Sequence, residues 1–184
     1  MKIDKFADIP QFTRSPRYHV VVDVSYMFDW IENNTKKHKL DLNPDFQRGH
    51  VWSRDQKIAY IEFCLRGGKT GREILFNCPG WMVDYRGPMV LVDGKQRIEA
   101  WRGFLANEFP VFDSYFHEYK DPDLVDQYSL TFMVNDLPNR AEVLKWYIDL
   151  NSGGTVHSRE EIDRVKLLLE NEINAAENNY GISP

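Results

Sequence analysis

The sequence predicts an α+β fold, with a small mixed sheet and packed helices in a single domain over residues 1–184. Three observations predict it. Apolar residues make up 42% and aromatics 14%, enough for a real core and too rich for a disordered chain. Segments with strand and helix periodicity mix without a regular βαβ rhythm, which argues against a doubly wound sheet. Two Ser-x-x-Gln/Glu capping boxes fix helix starts. The best-supported core covers 40–170, and a polar tail over 177–184 is expected to fray.

Taken in order, Tyr18 to Val22 reads as a strand, and Asp23 is placed to cap a short helix with Val24, Met27, Phe28 and Ile31 on its apolar face. Asn33 to Lys39 is polar and basic and reads as a solvated loop. Ser53-Arg54-Asp55-Gln56 is a capping box opening a helix that buries Ile58, Ile61 and Leu65 and stops at Gly67-Gly68. Glu73–Asn77 and Met89–Val92 are apolar enough for strands. The helix expected from Gln96 to Ala106 turns Ile98, Trp101 and Leu105 inward, and Tyr128–Val134 alternates as a half-buried strand does. Asn139 with Glu142 starts a helix running to about Leu150, with Val143, Leu144, Tyr147 and Ile148 as its apolar set. Asn151-Ser152-Gly153-Gly154 breaks it. Ser158-Arg159-Glu160-Glu161 then caps a last helix through Ile162, Val165, Leu169 and Ile173.

Charge narrows the partners. The net charge of −5 supplies no basic face of the kind that grips duplex DNA, so DNA gains no support from charge, although a few cations suffice for a mononucleotide. Cys64 and Cys78 are too few and too far apart for a disulfide framework and read as reduced core thiols. The N-terminus has no apolar signal core, and no run approaches the roughly 18 apolar residues of a membrane span, so a cytoplasmic protein without membrane contact is expected. The five histidines never fall at i, i+4 and no Cys-x-x-Cys occurs, so no metal ligands are assigned. No Gly-x-Ser-x-Gly elbow is present. Gly68-Lys69-Thr70 imitates the end of a phosphate loop, but the glycine required five residues earlier is Phe63.

Three polar clusters remain. In Val90-Leu91-Val92-Asp93-Gly94-Lys95-Gln96-Arg97, an apolar strand runs through Asp-Gly into a helix start. The free amides and positive dipole end of a helix N-terminus attract anions. Gly94 permits a tight turn and close backbone approach. Lys95 and Arg97 oppose the dipole, a conflict that a bound anion would relieve. Spacing alone is equally consistent with an ordinary exposed turn capped by Asp93. Around Gln47 and Arg48, Phe46 and Trp52 read as core aromatics, while the two polar residues sit just ahead of the Ser53 cap. The Asn151–Thr155 loop, alone, reads as a helix–helix connection.

In this order the clusters resemble the ParB/sulfiredoxin-like superfamily. The similar branch carries an Asp-Gly-Gln-Gln-Arg box and includes the N-terminal domains of GmrSD-type modification-dependent restriction enzymes and small phage proteins. The resemblance rests on Pro44–Trp52 (PDFQRGHVW), Leu91–Ala100 (LVDGKQRIEA) and Leu150–Ile162 (LNSGGTVHSREEI). It implies a regulatory domain that binds a nucleoside triphosphate with Mg²⁺ and hydrolyses it. Asp93 would orient water or a metal, Gly94 and the following amides would cradle phosphate, and Gln96 and Arg97 would hold its oxygens. Gln47 and Arg48 would face the same pocket, with Asn151, Gly153 and Gly154 on its rim. Lys95 departs from the branch by replacing a neutral Gln, adding a charge that suits phosphate while leaving the transfer of hydrolytic activity open. With 184 residues, the chain is expected to lack the nuclease module of the restriction enzymes. Two alternatives stand beside this reading: a ParB-like DNA-nicking nuclease, and a non-catalytic module that binds a protein partner in host machinery.

Overall fold

A computed structural model of the protein describes residues 3–47, 51–151 and 159–180, and the fold is α+β with an open four-stranded mixed sheet. Arg48, Gly153, Gly154 and the Ser158 cap lie outside the described residues. The chain divides into two compact units, Pro16–Pro138 and Met1–Ser15 with Asn139–Pro184.

The first unit holds the sheet: β1 (Tyr18–Asp23), β2 (Glu73–Asn77), β3 (Val90–Asp93) and β4 (Ser129–Asn135), in the order β1-β4-β2-β3. β1 pairs antiparallel with β4, β4 parallel with β2, and β2 antiparallel with β3. Central β2 is buried at four successive positions, as a strand covered on both faces must be, whereas β1 lies on an edge and exposes His19, Val21 and Asp23. The outer edge of β3 is met by an isolated parallel bridge from Asp41: the Asp41 N–H donates to Met89 O, and Leu91 N–H to Asp41 O, both at 2.9 Å. That bridge pairs part of the edge that β3 would otherwise offer to another chain. Where the chain leaves β2, the buried Asn77 exchanges both halves of its amide with the backbone of Leu137, at 2.9 and 3.1 Å.

Helices α1 (Met27–His38), α2 (Arg54–Leu65) and α3 (Lys95–Leu105) belong to this unit. Two expectations are corrected at α1. Asp23 caps nothing: it is the last rung of β1, opposite Ser129, and the helix starts three residues after Val24 with no side-chain cap. The expected loop at 33–39 is helical to His38. Its polar residues are held locally, Asn34 Nδ2 donating to Trp30 O, Thr35 Oγ1 to Ile31 O, and Lys36 pairing with Glu32. These i, i+4 contacts let a polar sequence remain helical on a solvated face. At α2 the Ser53 capping box forms with both bonds present. The Gly67-Gly68 stop is a Schellman turn: Gly67, at φ +88°, donates to Cys64 O and Gly68 donates to Phe63 O.

The second unit contains α4 (Arg140–Asn151) and α5 (Arg159–Tyr180). Asn139 Oδ1 accepts the Glu142 N–H at 3.0 Å, the expected cap. Thr13 donates to Asp149 Oδ2 from both its backbone and its hydroxyl, each at 2.8 Å, which ties the N-terminal segment to α4. Arg140 pairs with Glu172 at 3.0 Å. Ile162 and Val165 are buried on α5, but Ile173 is exposed, contrary to expectation. The helix also runs into the segment expected to fray, because Ala175 and Ala176 favour helix and no Gly or Pro intervenes before Gly181.

Candidate functional site

The candidate site is the turn from β3 into α3. Asp93 ends the strand, and Gly94 is the N-cap, at φ +102° and ψ 8°. Neither a side-chain cap nor an acidic residue in the first turn compensates this helix start. Asp93 therefore does not cap α3. Its carboxylate instead accepts from Arg97 Nη1 at 3.1 Å. The same nitrogen donates to the Glu73 carbonyl on β2 at 2.6 Å, so the guanidinium braces the first turn of α3 to the neighbouring strand. Both bonds leave from the one nitrogen Nη1, which carries two of the five N–H donors of an arginine.

Gly94 is required by packing as well as by conformation. A Cβ there would lie 2.6 Å from Ile74 Cδ1 and 3.2 Å from Ile74 Cα, so the turn presses directly on the central strand. The two glutamines also serve as braces. Gln96 Oε1 accepts the Trp52 N–H at 2.9 Å, fixing the entry to α2, and leaves its own amide donors for other partners. Gln47 Nε2 donates to Leu91 O at 2.9 Å. Phe46 beside it is fully buried, and Trp52 packs against Tyr60 with ring centroids 5.2 Å apart. Gln47 and the Asp93–Arg97 turn are thus linked through β3 and the start of α2. Lys95 differs from its neighbours. It is half-buried and, among the described residues, has no ion-pair partner.

Behind the turn lies a cluster that the sequence reading did not select. The Tyr60 hydroxyl donates to Gly71 O at 2.9 Å, and Arg72 Nη2 donates to Cys64 O at 3.3 Å. Burial pushes the Tyr60 phenol well above its ordinary range. Burial also raises the Cys64 thiol, against a downward pull from the Tyr60 hydrogen bond and from Arg72 and Arg97. These residues are far from the box in sequence, and no local pattern joins them to it. Asn151, at the end of α4, donates from Nδ2 to Tyr147 O at 2.7 Å and belongs to the other unit. Among the described residues no group of three or more His, Cys, Asp or Glu is placed to hold a metal ion, and no helix is long and apolar enough to cross a membrane.

No protein-family model, curated protein or solved structure matches this chain. The resemblance to the ParB/sulfiredoxin-like superfamily rests on the three sequence segments alone.

Proposed function

We propose that this protein is a nucleotide-binding domain that takes the phosphates of a nucleoside triphosphate at the Asp93–Arg97 turn. The observation that carries the reading is a helix start with no side-chain cap and no acidic first-turn residue, beside a lysine that has no ion-pair partner among the described residues. The amides and the dipole end of α3 favour negative charge there, and Lys95 adds a full positive charge at the same place. The amide donors of Gln96 can extend the contact. Arg97 acts first as a brace, holding Asp93 and β2 in position, so its contribution to a phosphate comes through the nitrogens that those bonds leave over.

Hydrolysis and the regulation of a protein partner are the further steps of this reading. Mg²⁺ would arrive on the phosphates, and Asp93 is the carboxylate on the turn able to orient it or a water. Arg97 holds Oδ2 of Asp93, which leaves Oδ1 for that role while the pair stays intact. The expected order is binding through Lys95 and the α3 amides, with Asp93 held in position by Arg97.

Thermal unfolding of wild type and Lys95→Gln against ATP, GTP, CTP and UTP, each with Mg²⁺, tests it. A ligand at a hundredfold excess over its Kd adds about 2.7 kcal/mol, a rise of several degrees in a chain of this size. The expected result is a rise with at least one nucleotide that shrinks in Lys95→Gln. Equal shifts in both proteins, or no shift with any nucleotide, would refute the assignment.

A further inference from the structure

A concavity lies in the sheet-bearing unit, away from the sequence box. It is a cavity of about 280 Å³ whose walls include Phe104, Phe112, Phe116, Tyr119 and Tyr128, with Asp121 at its edge. Phe104 is 2% exposed and forms the floor. Phe116 and Tyr119 stand edge-on to it, at centroid distances of 5.5 and 6.0 Å. Both tyrosine hydroxyls are used up on backbone carbonyls, Tyr119 on Val111 at 2.8 Å and Tyr128 on Leu65 at 3.0 Å. The tyrosines therefore offer the cavity their rings and no free O–H donor.

Among the described residues that line the cavity, Asp121 alone is charged. Asp121 is exposed and, among the described residues, has no ion-pair partner. One cation is already seated on a wall: the Arg66 guanidinium lies 5.0 Å from the centroid of Phe112. That contact displays the chemistry the remaining rings offer, since ring faces attract positive charge most strongly where water is excluded. Phe112 and Asp113 are both held at positive φ, +48° and +61°, in a turn closed by reciprocal bonds between Val111 and Ser114. A phenylalanine held in that conformation costs stability, and the turn carries its ring to the cavity wall.

We infer that this cavity binds a small organic cation of the alkylammonium class, its apolar groups against Phe104, Phe116 and Tyr128 and its charge facing Asp121. A cavity of roughly 150 Å³ already holds benzene, so the volume accommodates a trimethylammonium group with a further alkyl or aryl substituent. A neutral molecule of the same shape would gain the apolar contacts and lose both the cation–ring attraction and the carboxylate.

Choline and its neutral isostere 3,3-dimethylbutan-1-ol separate these terms. NMR titration of the full chain, following the ring resonances of Phe104, Phe116 and Tyr128, is expected to give saturable shifts and an affinity for choline about fivefold or more tighter than for the alcohol. Asp121→Asn, at an exposed position, should erase most of that difference, and Phe116→Leu, which keeps the wall apolar, should reduce it. Equal affinities, no saturable shift with either probe, shifts confined to other residues, or a preference undiminished in Asp121→Asn would overturn the inference.

Discussion

Replacing Gly94 by alanine asks whether the turn is shaped by its packing on β2, and the structure sets the magnitude. At φ +102° an L-residue is strained, which costs about 1–3 kcal/mol. The new methyl would also sit 2.6 Å from Ile74 Cδ1, an overlap of the kind that costs about 1–3 kcal/mol to relax. A total near 3 kcal/mol corresponds to a fall in Tm of roughly 6–12 °C for a chain of this length. Ile74→Val removes the Cδ1 atom and relieves the closest clash, while the contacts of Ile74 Cα and Cγ2, each at 3.2 Å, persist. Alone, that change should cost about 0.5–1.5 kcal/mol. The double variant should therefore be about 1 kcal/mol more stable than the sum of the single effects. Denaturant unfolding of the four proteins measures this cycle. Strict additivity, or a Gly94→Ala protein as stable as wild type, would refute the packing argument. Because the same substitution disturbs the sheet, Lys95→Gln is the cleaner probe of ligand binding.

Other expectations follow from the same structure. Asn77→Ala strands the buried N–H and C=O of Leu137, so a loss of about 2–4 kcal/mol is expected in denaturant unfolding. Burial pushes the Cys78 thiol up to about 11 and raises Cys64 as well, so both should resist alkylation at neutral pH until the chain unfolds. Rapid labelling of native protein would contradict that. Burial, with a smaller contribution from Lys37, lowers the pKa of His38, whose ring stacks on Tyr85 at 4.3 Å. The unfolded chain takes up this proton first as pH falls through about 6.5, so the stability contributed by neutral His38 is present above that pH and lost below it. His38→Phe should keep the stacking and flatten the fall in Tm between about pH 7 and pH 5 relative to wild type.

The parts of the fold written in local sequence were readable. The Ser53 box and the Gly67-Gly68 stop act within a few residues, and β2 and α3 emerged where their apolar patterns placed them. The α1 extension was missed because its polar residues stabilise the helix by bonds four residues apart, which composition alone does not distinguish from a loop. At the site, a helix start carrying the cations Lys95 and Arg97 was visible in the Asp-Gly-Lys-Gln-Arg order, but its missing cap was not, because the same order allows Asp93 to cap the helix. What Gln47 and Gln96 do was not, since each bonds a backbone atom 44 residues away. The close approach of Gly94 to Ile74 and the Arg97 bond to Glu73 O depend on strand order in the same way. Sequence marks which residues are unusual; the topology decides which of them hold the fold and which, like Lys95, are left over.

The most direct test of the central claim is an amide-resolved NMR titration of the wild-type chain with each Mg²⁺-bound nucleoside triphosphate. With at least one nucleotide, the account predicts saturable shifts largest at the backbone amides of Gly94, Lys95 and Gln96, with smaller ones at Trp52 through its bond to Gln96. Saturable binding that leaves those amides unmoved, or no binding by any of the four, would contradict it.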